Sequence, residues 1–132
     1  MDQPTEIAAP DEPISVEAAH ALPLEDLPIW IRNTAAQKAA ITSEWNAAFG
    51  NFRERRRSLA LYFHGEEKLG ITAAEMKADI DPHVIEAGEY SRRLKERIAA
   101  FENAERQLQQ ELAVKLALAH AGEAVQLTQL DP

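Results

Sequence analysis

Two dense groups of cationic side chains stand out as the residues most able to do chemistry. Arg53, Arg55, Arg56 and Arg57 form one, and Arg92, Arg93, Lys95 and Arg97 form the other. Guanidinium and ammonium groups at this density can neutralise phosphates and release counterions, so nucleic-acid contact is one reading. The plainer reading is a pair of solvated helix flanks, balanced by acids such as Glu54 and Glu96. A third is that an acidic stretch of the same chain folds onto them. If the chain closes as a hairpin between about 64 and 82, residues near 55 face residues near 93, and the clusters merge into a basic belt.

The other reactive residue types are scattered. His20, His64, His83 and His120 lie far apart. Glu17-x-x-His20 has the spacing of a carboxylate-bridged di-metal ligand pair. Such centres need that motif twice, with further carboxylates in a bundle core, and here it occurs once. His83 and Glu86 share a helix face, where a solvated pair is expected. The adjacent Glu66 and Glu67 sit in a linker beside Gly65 and are also expected to be solvated. The absence of Cys removes thiolate nucleophiles, disulfides and Cys-based zinc sites together. No G-x-S-x-G, H-E-x-x-H, Walker A or G-x-G-x-x-G pattern is present, and five glycines leave no loop shaped to cradle phosphate. The sequence therefore points away from an enzyme, with no catalytic, cofactor-binding or metal-ligating residues and no small-molecule substrate.

The elements that must position these groups are helices. Ala is abundant, aromatic residues make up only 6%, and Ala is the strongest helix former, so composition favours an all-α fold. The net charge of −8 is unevenly placed. Seven acids and no Lys or Arg fall within residues 1–27, which leaves the rest of the chain near neutral. Pro4, Pro10, Pro13, Pro23 and Pro28 punctuate this acidic leader, residues 1–26, and forbid a long helix inside it. It is expected to be largely extended, with one short helix from Val16 to Leu22 capped by Ser15 as an alternative. Ile14, Val16, Leu22, Leu24 and Leu27 are apolar enough to dock on the body or on a partner.

A hairpin domain is expected over 27–122. Its first helix covers about 28–63, with Pro28 in the first turn where a missing N–H costs nothing. An apolar seam passes through Leu27, Ile31, Thr34, Lys38, Ile41, Trp45, Ala48, Phe52, Arg55, Leu59 and Tyr62 in steps of four and three. Gly50-Asn51 could break it, but the seam stays in phase, so one helix is expected up to Gly65. Thr72 and Glu75 form a T-x-x-E capping box for a short clasp helix over about 73–80, with Ile71 and Met76 as its hydrophobic staple. Asp81-Pro82 starts the last helix, about 82–120, with Ile80 and Ile85 repeating the staple and Gly122 as its stop. Its seam is Ala87, Ser91, Leu94, Ile98, Phe101, Glu105, Leu108 and Leu112, then Leu116 and Ala119 after a phase shift. At 1.5 Å per residue this helix is about 60 Å long, which suggests coiled-coil-like packing. Glu105 and Lys115 are polar intrusions in that seam. The tail, 123–132, carries Val125, Leu127 and Leu130 and reads as a docking peptide or a frayed end.

Two long helices cannot enclose a core by themselves, because each keeps an apolar flank toward water. Either the leader and tail fold back over these flanks or, as expected here, a second copy or a protein partner covers them. The anchors would be Trp30, Trp45, Phe52, Leu94, Ile98, Phe101, Leu108 and Leu112, with the basic belt setting orientation and on-rate. The functional expectation is a non-catalytic interaction protein: an adaptor, an assembly factor or a structural subunit. The alternative is a nucleic-acid-associated protein using the belt. A helix-turn-helix unit over Ile71 to Leu94 is disfavoured by its Asp-Pro turn and by a second helix too long for recognition. No secretory signal is visible, and no apolar run approaches the roughly 18 residues of a membrane span. The expected setting is the cytoplasm or a soluble assembly, a virion included.

Overall fold

The computed structural model describes the backbone of residues 11–130 and the side chains of 11–123. The first ten residues of the leader, and the tail side chains from Ala124 onward, lie outside the described residues. The elements in order are α1 (Val16–Ala21), a 3-10 turn (Leu24–Asp26), α2 (Leu27–Glu66), α3 (Ile71–Asp79) and α4 (Pro82–Leu130). No strand occurs among the described residues. The two long helices α2 and α4 pack as a hairpin with α3 between them in sequence. The chain divides into two compact units. One comprises 1–39 with 99–132, and the other comprises 40–98.

The first unit is built around a cluster of Ala19, Leu27 and Leu108, none of them solvent-exposed. Ile14, Leu22, Leu24, Trp30, Ile31 and Leu112 pack against it. Within the described leader, the expected extended chain gives way to the alternative. Ser15 caps α1, its Oγ accepting the Ala18 N–H at 3.1 Å. The prolines bound these short elements rather than prevent them: α1 lies between Pro13 and Pro23, and Pro28 occupies the first turn of α2. Lys115 explains much of why the leader docks. Its ammonium donates to the carbonyls of His20 and Leu22, both at 2.6 Å, and so satisfies carbonyls left unpaired where α1 ends. His20 Nδ1 lies 3.2 Å from the Glu111 carboxylate. Glu105, the other polar residue of the α4 seam, accepts from Lys38 of the α2 seam at 2.8 Å. Both intrusions therefore have partners, and each seam charge meets a group that satisfies it.

The second unit holds the ends of the long helices that flank α3. Ala74 and Ala78 of α3 are buried, and two ion pairs fix the helix to α2 and its end, Arg56 to Asp79 and Lys77 to Glu67. Thr72 is not the cap of α3. The helix starts two residues earlier than expected, with Gly70 at the N-cap, because Lys68 turns the chain with a left-handed φ of 58° and Leu69 N–H reaches back to the Phe63 carbonyl. His64 Nδ1 donates to the Leu69 carbonyl at 2.7 Å and braces that turn. Asp81 does cap α4: its Oδ1 accepts the backbone N–H of His83 at 2.9 Å and of Val84 at 3.3 Å.

Three boundary expectations change. Gly50 does not interrupt α2, which runs unbroken through it. Gly122 does not stop α4, which continues to Leu130. The α2 seam slips by one residue toward its end. Arg56 and Phe63 turn inward, whereas Arg55 and Tyr62 face solvent. A strict four-three alternation has a period of 3.5, whereas the helix turns every 3.6 residues, so the face drifts about 20° per heptad. The five heptads from Leu27 to Tyr62 accumulate roughly one residue of rotation.

Candidate protein-docking surface

The eight residues expected to anchor a partner are used within the hairpin itself. Leu94, Phe101 and Leu108 are buried, and Trp30, Trp45, Phe52, Ile98 and Leu112 are half-buried. Trp45 stacks on Phe49 with ring centroids 5.1 Å apart, and Phe52 packs against Gly88, where an added Cβ would lie 3.0 Å from its ring. Burying a large apolar side chain contributes roughly 1.5–3 kcal/mol, so the buried three cannot be offered to a partner while the hairpin stays closed. The other five keep part of their surface exposed, and Phe52 also lines the groove described below.

The basic clusters do not merge into a belt at one level. Lys95 lies 4.5 Å over the Trp45 ring and Gly88 meets Phe52, so the α4 cluster faces α2 near 43–48, about two to three turns before the arginines. The displacement comes from α3. It lies beside α2 with Asp79 against Arg56, so α4 starts well short of the end of α2. The charges are also largely engaged locally. Arg56 pairs with Asp79, whose carboxyl is held below its ordinary pKa by that hydrogen bond. Arg92 pairs with Glu96 one turn on, at 2.9 Å. Arg53 lies over Phe49 and Arg93 over Tyr90, at 5.8 and 6.0 Å from the ring centroids. Arg55 donates to Asn51 at 3.4 Å, and Arg97 is half-buried. Arg57 is exposed. Among the described residues, no three His, Asp or Glu side chains converge into a group that could hold a metal ion.

What the second unit does present is a groove of about 790 Å³ between α2 and α3. Phe49, Phe52, Ala60, Leu61, Ile71 and Ala74 supply its apolar lining. Arg53, Arg56 and Arg57 supply cations, and Glu54 and Glu75 supply anions. Leu61 is 59% exposed and Ile71 66%, although both are large and apolar. Outside the groove, Met76, Ile80 and Ile85 are exposed as well. Sequence spacing assigns Ile71, Met76, Ile80 and Ile85 to staples at helix starts. The start of α3 after Gly70 places Ile71 inside the helix, so the first staple cannot form at those positions. Leu61 lies off the seam and carries no signal in the sequence. The helix phase turns it away from α4, and the position of α3 makes it part of the groove.

A second apolar stretch lies in the other unit. Val114, Leu116 and Leu118 of α4 are 55%, 42% and 66% exposed, and every residue from Leu116 to Glu123 faces solvent. The expected continuation of the seam through Leu116 and Ala119 is therefore left exposed among the described residues. No described helix is long and apolar enough to cross a membrane. Set against known protein families, curated proteins and solved structures, the chain finds a match in none of the three.

Proposed function

We propose that this chain is a non-catalytic helical interaction protein, acting as an adaptor, an assembly factor or a structural subunit. The observation that carries the reading is the set of large apolar side chains left outside both cores: Leu61, Ile71, Met76 and Ile80 around α3, and Val114, Leu116 and Leu118 on α4. Single exposed apolar residues are ordinary, but groups of them mark binding surfaces; on α4, Val114 and Leu118 share a face one turn apart, with Leu116 on the other side. Binding energy would come from burying these groups, at roughly 25 cal/mol per Å², less the cost of association. The nucleic-acid alternative has less support, because the two basic clusters face different levels of the hairpin and Arg56 and Arg92 are already paired with acids on the same chain. The test is affinity capture of the tagged chain from its native host, with crosslinks mapped to residues. Crosslinks clustering around α3 or the distal part of α4 support the reading. A chain that emerges alone, with neither a protein nor a second copy attached, refutes it.

A further inference from the structure

We propose that the groove between α2 and α3 is the docking site for a second copy of this chain, related to the first by a two-fold axis. This deepens the interaction reading above and rests on it. Three observations single out that occupant.

The first is the pattern of charge at the groove. Arg56 is already paired with Asp79. Arg53 and Arg57 of α2 have no carboxylate within ion-pair distance among the described residues, and Glu54 and Glu75 have no cation within it. The surface thus carries two charges of each sign that no direct ion pair neutralises, although Glu75 is near enough to Arg56 to help raise its pKa. A partner of either single sign would meet one of these pairs with repulsion. A two-fold copy meets both with attraction, because in such an interface whatever residue i contacts, its counterpart contacts in return. Arg53 and Arg57 of each copy then face Glu54 and Glu75 of the other.

The second is the apolar area beside those charges. Leu61 and Ile71 stand on opposite walls of the groove, one on each helix, and both are more than half exposed. Each offers the other copy a side chain to insert and an apolar lining of Phe49, Ala60 and Ala74 to receive one. A surface that both inserts and receives is complementary to itself.

The third is the distribution of net charge. Residues 40–98 contain ten cationic and ten acidic side chains and are neutral, so the whole net charge of −8 lies outside them. Contact through this unit brings together surfaces with no net charge. Contact through the distal part of α4 would bring together two units of −8 each, and at physiological salt such charges still interact within about 8 Å. The groove is the apolar surface that a second copy approaches without that barrier.

The experiment is sedimentation equilibrium on the full chain with charge-reversal variants and their mixture. The wild type is expected to dimerise at about 100 μM chain. Arg53→Glu/Arg57→Glu and Glu54→Arg/Glu75→Arg are each expected to weaken self-association at least ~10-fold, and an equimolar mixture of the two to recover it. Leu61→Ser/Ile71→Ser, which leaves every charge in place, is expected to weaken it as well. Circular dichroism confirms that each variant remains helical, which these exposed positions allow. A wild type that stays monomeric overturns the proposal, and the host-capture experiment then decides the broader interaction reading separately. A dimer that ignores both reversals but is lost in Val114→Ser/Leu118→Ser overturns it in favour of α4. Reversal variants that fail to complement each other overturn the pairing on which it stands.

Discussion

Thr34 offers a sharp test of how the first unit is held together. It lies in the α2 seam, it is fully buried, and its Oγ1 has no hydrogen-bond partner among the described residues. In the unfolded chain that hydroxyl is hydrated, so folding strips it of water without replacement. Protein mutational data place the cost of such burial at roughly 1–3 kcal/mol. Thr34→Val removes the hydroxyl and keeps the shape, the β-branch and nearly the same helix propensity. The substitution is therefore expected to stabilise the protein by about 1 kcal/mol, which for a chain of this size raises Tm by roughly 3–5 °C. Thr34→Ser keeps the unpaired hydroxyl and loses the methyl, so it is expected to destabilise by about 1 kcal/mol. Urea denaturation followed by far-ultraviolet circular dichroism measures both, and an unchanged m-value would confirm that the compactness of the unfolded state is unaltered. If Thr34→Val is destabilising by 1 kcal/mol or more, the reasoning is refuted. The hydroxyl would then be bonded, to the carbonyl one turn back or to an internal water.

The Lys38–Glu105 pair is expected to behave as a coupled unit. Lys38→Met alone costs about 1–2 kcal/mol because it strands a mostly buried carboxylate, whereas Lys38→Met/Glu105→Leu recovers most of the loss in a double-mutant cycle. The hydrogen bond to Glu105 raises the Lys38 pKa, so the folded chain holds that proton more tightly than the unfolded one. The pair's stabilisation is complete below the ordinary value of 10.5 and disappears as pH rises through the folded value, which urea midpoints from neutral to alkaline pH will register. Lys115→Met is expected to cost about 1–3 kcal/mol and to release the leader first, seen as faster proteolysis and hydrogen exchange over 11–26 with α2 and α4 still protected. Backbone fit gives a reciprocal pair. Gly50 is helical with nothing within 4 Å of an added methyl, so Gly50→Ala is expected to stabilise by about 0.5–1 kcal/mol, and Lys68→Gly by a similar amount because Lys68 holds a positive φ, both read from Tm.

The helices and much of their packing are legible in the order of residues alone. Abundant Ala, the four-three spacing of apolar residues and the Asp81-Pro82 start signal act within a few turns of one chain segment, so they can be read without knowing what lies opposite. The inner face of α4 from Ala87 to Leu112 follows from that spacing. How the helices meet depends instead on the folded chain. The Gly70 start of α3 follows from the Lys68 turn, not from Thr72, because chain reversal takes precedence over a local cap preference. The settling of α3 beside α2 then sets where α4 begins, which separates the two basic clusters and opens the groove. The same apolar spacing marks a residue for burial whether its cover is its own chain or another. Leu94, Phe101 and Leu108 therefore look the same as partner anchors until the hairpin covers them, and Leu61 and Ile71 are left exposed.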